Sequence, residues 1–149
     1  MGKDDFTKIP NGGPGIEHRM SLIYSGGVAK GRFSVNRFVE LVSTTPAKIF
    51  GLYPRKGTIT VGSDADLVVY DPTTSGVRSA KTHHSRCDRS IFDGFKVKGS
   101  PSYVVVNGRV QFEDGKLAVE RGAGRFIARE VAKTDHPLPI TPAATGRLA

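Results

Sequence analysis

Cysteine is nearly absent. The one in the chain, Cys87, has no partner for an internal disulfide, a usage that fits a reducing cytoplasm. Long apolar runs are missing too, since none approaches the ~20 residues of a membrane-spanning helix. Met1-Gly2-Lys3-Asp4-Asp5 carries no secretory h-region. Also lacking are a P-loop, a zinc finger, an RRM-type aromatic signature and a G-x-S-x-G elbow, which removes the usual signs of nucleotide, nucleic-acid and serine-hydrolase chemistry. Asp64, Asp66 and Asp71 do not have the spacing of an EF-hand loop. Length is short as well: 149 residues suffice for one domain but not for a whole (β/α)8 barrel of about 250.

What is present is a globular composition, 38% hydrophobic and 24% charged, with a net charge of +8. Such a charge raises a nucleic-acid partner as one reading. The 22 Lys and Arg residues are nevertheless spread along the chain. Their nearest approach to a cluster is Arg121, Arg125, Arg129 and Lys133, four apart and so fit for one helical face. That face reads better as solvated or as meeting another subunit than as a nucleic-acid site.

The chain is organised around Ile9-Pro10-Asn11-Gly12-Gly13-Pro14-Gly15, a run of glycine, proline and asparagine that breaks regular structure and lets backbone approach a ligand. A helix is expected over 16–29, with Ile16, Met20, Ile23 and Tyr24 on one face, Glu17 in its first turn and Gly31 past its end. Ser34 is placed to cap a second helix with Val35, Phe38, Val39 and Val42 as its stripe. Thr45-Pro46 restarts a short helix packed by Ile49 and Phe50 and stopped by Gly51. Beyond Tyr53-Pro54 the pattern turns to strands: Thr58–Val61, then Asp66–Tyr70 closed by Asp71-Pro72, then Tyr103–Val106 covered on both faces. Asn107-Gly108 leads from there into Arg109–Phe112, the strongest short signal for a hairpin. Glu113–Lys116 makes the next turn.

Candidate chemistry is sparse. His18 has no spaced partner, His136 lies near the end, and His83 and His84 are adjacent, so in a strand they would point to opposite faces. None makes the three- or four-ligand set that zinc needs. Cys87 has no activating motif.

Gly2–Gly12 and Gly15-Ile16-Glu17-His18-Arg19-Met20 resemble the dihydropyrimidinase and D-hydantoinase family of the amidohydrolase superfamily. Gly62–Asp71 matches a superfamily-wide pattern, while Ser79–Ser85 and Gly122–Arg129 narrow the likeness to this group, which runs from residue 2 to about Arg129. The resemblance implies an α/β fold: the C-terminal end of a TIM-like barrel over 1–52, β-sandwich strands and C-terminal region over 53–130, and a disordered tail over 131–149. It implies that the loop follows the last barrel strand and that Asn11 contacts a cyclic amide substrate, largely through main-chain groups. It also implies two zinc ions bridged by a carboxylated lysine, with every metal ligand and catalytic acid/base upstream of this segment. The implied parent is a cytoplasmic homotetramer that opens dihydropyrimidine or hydantoin rings to N-carbamoyl amino acids, with neither nucleic-acid nor membrane partner. The segment alone would be inactive. Related non-enzymatic scaffold proteins, the alternative, usually carry Glu where Asn11 stands, so Asn11 favours the enzyme branch.

Overall fold

The computed structural model describes residues 4–9 and 11–131. The expected tail falls outside them apart from Val131, as do Pro10, Lys133 and His136.

A single 3-10 turn, Phe6–Lys8, comes first, and two longer helical runs follow. α1, Arg19–Ile23, widens into a π-helical turn over Tyr24–Val28. Gly27 is buried there because a Cβ would sit 1.8 Å from the ring of Phe33. The chain then leaves the helix through Gly31 at φ 66°. α2, Val35–Val39, is capped as expected: the Ser34 hydroxyl accepts from the Arg37 N–H at 3.2 Å. It runs without a break through a second π turn, Glu40–Thr44, into α3, Thr45–Ile49. Pro46 supplies no N–H to the turn behind it, and a wide turn ahead of a proline accommodates that loss. Gly51 ends the run at φ 65°.

The sheet is antiparallel in the order β1-β2-β3-β4. β1 is Leu67–Val77, β2 Lys96–Val106, β3 Arg109–Glu113 and β4 Lys116–Leu117. Asp71-Pro72 does not close the first strand. A register shift between Asp71 and Ser75 absorbs the proline, and Asp71 Oδ1 accepts from the Thr73 N–H at 2.7 Å. Asn107 at φ 50° and Gly108 at φ 75° form the expected hairpin turn, and Asp114 and Gly115 at φ 42° and 87° form another.

Four further expectations fail. Thr58–Val61 forms no strand, and Ile59 and Val61 lie open at 86% and 104% exposure. Arg121, Arg125 and Arg129 share no helix, because the described residues after β4 form neither helix nor strand. Ile16 lies ahead of α1 and is 93% exposed, and Val35, Val39, Ile49 and Phe50 are exposed rather than packed. Tyr103, Val104 and Val105 are only half-buried. Apolar pattern alone forms neither strand nor core when no described residue lies opposite to cover it.

The core that does form joins helix to sheet. Tyr24, Phe38, Ala47 and Val97 are its buried apolar residues. Tyr24 meets Phe38 edge-on at 5.6 Å and Tyr70 at 4.9 Å. Gly99, at φ 82°, lets β2 pass under both tyrosines, each 2.7 Å from where its Cβ would be. Across the other flank, Lys56 bridges Asp64, at 2.9 Å, and Asp66, while Asp66 Oδ1 accepts from the Asn107 N–H at 2.8 Å. No described helix is long and apolar enough to cross a membrane.

Candidate functional site

Asn11 is exposed at the head of the glycine-rich loop. Gly12 follows at φ 86°, a backbone state that L side chains rarely adopt. The Gly15 N–H donates to the Gly13 carbonyl at 2.9 Å, and the Gly15 carbonyl accepts from the Arg19 N–H at 3.0 Å. The loop is therefore tied straight into the first turn of the helical run.

Its support comes from one stretch, residues 78–95, the excursion between β1 and β2. That stretch is closed at its neck by Arg78 N–H to the Phe95 carbonyl at 2.9 Å and Gly94 N–H to the Arg78 carbonyl at 3.0 Å. The Ala80 N–H donates to Asp93 Oδ1 at 2.6 Å. A Cβ on Gly13 would meet Ile91 at 3.6 Å, and one on Gly15 would meet Phe92 at 3.5 Å, so these two side chains flank the loop about a methyl group away.

Glu17 does not spend its charge on the helix end. Its Oε2 accepts from the His84 backbone N–H at 2.7 Å, and its Oε1 lies 2.9 Å from His84 Nδ1. Partial burial works against the charged carboxylate, but the hydrogen bonds from the His84 ring and amide outweigh it and hold Glu17 below the usual carboxylate range. His84 Nε2 faces the Gly115 carbonyl at 3.3 Å, and the ring stands edge-on to Phe112 at 6.0 Å.

His18, next along, is 2% exposed. Its Nδ1 lies 3.4 Å from the Ser90 hydroxyl and its ring stacks on His83 at 5.7 Å. Burial pushes its imidazole below the ordinary value. His83 is not on a strand, and its Nε2 donates to the Cys87 carbonyl at 2.6 Å. The sequence offers His18 no spaced partner; the structure brings its ring onto His83 and puts His84 on the neighbouring Glu17. The separations, 65 residues for His18 and His83 and 67 for Glu17 and His84, hide this from any local pattern. Among the described residues no group of three or more His, Cys, Asp or Glu side chains could hold a metal. The loop itself is open to solvent at Asn11, Gly12 and Gly13.

The model of the amidohydrolase family matches residues 15–111. D-hydantoinase of Geobacillus stearothermophilus is 51% identical over 129 residues, which is 87% of this chain and 27% of that protein. Dihydropyrimidinase of Rattus norvegicus is 52% identical over 130 residues, 87% of this chain and 25% of that one. Among solved structures, a crystal structure of a D-hydantoinase superposes with a TM-score of 0.83 at 50% identity, over 89% of this chain and 29% of that chain. The chain thus spans about a quarter of the length of the curated relatives it matches.

Proposed function

The chain belongs to the amidohydrolase family, and from that premise we propose that it is the C-terminal part of a dihydropyrimidinase or D-hydantoinase. The parent would open 5,6-dihydropyrimidine or hydantoin rings by hydrolysis to N-carbamoyl amino acids. The observation that carries this reading is identity near one half, sustained over 87% of the chain, to proteins of both names. Asn11, where the related scaffold proteins usually carry Glu, favours the enzyme over that alternative.

The order of elements supports the finer assignment. Residues 1–52 would be the end of a TIM-like barrel, with the 11–15 loop at its substrate face, and residues 53–130 would contribute strands to a small β-sandwich. Asn11 would contact the cyclic substrate. Exposure of the loop and its glycine-rich backbone suit main-chain hydrogen bonds to a planar ureide. Two zinc ions bridged by a carboxylated lysine would belong to the parent, whose partners would be its small substrate and three further copies in a cytoplasmic tetramer. Among the described residues no group could hold a metal; the exposed loop supports a part for this segment in holding and orienting the ring.

The test is a hybrid in which residues 2–131 replace the matching C-terminal part of the Geobacillus stearothermophilus D-hydantoinase. Ring opening of hydantoin or dihydrouracil by the folded, metal-loaded hybrid is expected. A folded, metal-loaded hybrid without turnover would overturn the reading. The 149-residue chain alone, with or without added zinc, should open neither ring above a heat-killed control.

A further inference from the structure

Side chains of the 78–95 excursion lie against the glycine-rich loop and the helix turn that follows it. Ile91 and Phe92 lie under Gly13 and Gly15, and Ser90 reaches His18. One of these links is charged and two-pronged: Glu17 holds both the backbone amide and the ring of His84, at 2.7 and 2.9 Å. Glu17 is two residues from Gly15, whose carbonyl anchors the helical run. His84, through Gly115 and Phe112, is in turn braced on the β3–β4 hairpin. A two-pronged acceptor fixes direction as well as distance, and hydrogen bonds to a charged acceptor are stronger than neutral ones. The remaining supports are apolar contacts, or a single bond at 3.4 Å, that permit sliding.

We propose that Glu17 and His84 are a positioning pair: their clamp sets the loop carrying Asn11 against the sheet half and so fixes the pose of the ring. This rests on the reading of the loop as a substrate contact. It extends that reading by naming what places the loop and by tying substrate affinity to the sheet domain, through a link 67 residues apart in the chain.

Hydrogen–deuterium exchange of the 149-residue chain tests the clamp without any activity. In E17A the amides over 11–18 should exchange about tenfold faster than in the native chain, the scale of one charge-assisted hydrogen bond. H84A should do less, since its backbone amide can still reach Glu17, and E17A/H84A should be no faster over 11–18 than E17A. E17Q, which keeps an acceptor for the amide, should recover part of the protection. E120A, which removes only the exposed Arg109 ion pair, should change nothing over 11–18. Equal exchange in E17A and the native chain would overturn the proposal. In the hybrid enzyme, E17A should raise KM about tenfold with metal content and melting temperature kept and kcat little changed, since pose and not chemistry is disturbed. A fall in kcat in step with lost folded protein, at unchanged KM, would show plain structural support and overturn it. Were the hybrid folded and metal-loaded but inert before any substitution, the functional reading would fail, while exchange over 11–18 of the hybrid and its E17A variant would still decide the clamp.

Discussion

Asn11 is the residue on which substrate contact would turn. Asn11→Ala keeps every main-chain donor and acceptor, so contacts made by backbone should survive. The loop would lose the turn preference of Asn, a cost expected to stay within about 1–2 kcal/mol in kcat/KM of the hybrid. Asn11→Pro removes an N–H and locks φ, and should cost more. Native kinetics in the proline variant would remove Asn11 from the site, and lost metal in the alanine variant would make the loop a support of the metal centre. Gly99 tests the core in the same way. Gly99→Ala places a methyl 2.7 Å from both Tyr24 and Tyr70, at a φ of 82° that alanine resists. A loss of about 1–3 kcal/mol is expected from overpacking, read as a lower urea midpoint.

At the scale of the element, Ser34→Ala should cost about 1 kcal/mol by leaving the Arg37 N–H without its cap acceptor. An unchanged midpoint would mean that the start of α2 is held by packing instead. What was legible in the chain divides along this line. The cap at Ser34, the stop at Gly51 and the hairpin at Asn107-Gly108 could be read because each is decided by its own few residues. Thr58–Val61 could not, because alternation describes a strand only if another strand lies beside it. Nor could the spacing of Arg121, Arg125 and Arg129, since fourfold periodicity of charge needs an apolar counterface before it becomes a helix. The continuity of α2 into α3 was hidden by Pro46, which signals a restart unless a wide turn precedes it. Asn11 was visible as loop composition. The Glu17–His84 link was not, since nothing local connects positions 67 residues apart.

Over the whole molecule, charge sets a window of pH. Asp64 is held below the usual carboxylate range, first by the Lys56 hydrogen bond and then by that from Arg55. An acid depressed on folding contributes stability above its unfolded value and loses it as pH falls through its folded value. Burial lowers Lys56, but its bonds to Asp66 and Asp64 raise it further, so its contribution is complete below the ordinary lysine value and is lost as pH rises through the folded one. Urea midpoints should therefore fall at both ends, and Asp64→Asn should flatten the acid limb. An acid limb as steep in that variant as in the native chain would place the sensitivity elsewhere. The apolar residues left open, Ile59 and Val61 among them, should make the isolated chain associate, as sedimentation would show. A sharp-melting monomer would instead argue for an independent domain.

The wide turn at Glu40–Thr44 also keeps count. A π turn holds one residue more than the α turn it replaces, and each residue in an α-helix advances the direction of its side chain by about 100°. Deleting one residue from this turn would still leave one full revolution, so the side chains from Thr45 onward would keep their directions. Ala47 would stay against Gly57, where a Cβ would come within 2.5 Å, and the Gly51 carbonyl would still meet the Glu130 N–H, now 2.9 Å away. The cost would fall at Pro46 instead, whose ring in a plain α-helix runs into the carbonyl four residues back. A lower urea midpoint is expected for that deletion, and Pro46→Ala in the same background should restore it; a midpoint not restored would place the need for the turn elsewhere. The turn thus works as one residue held in reserve, which lets a proline sit inside a continuous helix without turning the faces on either side of it.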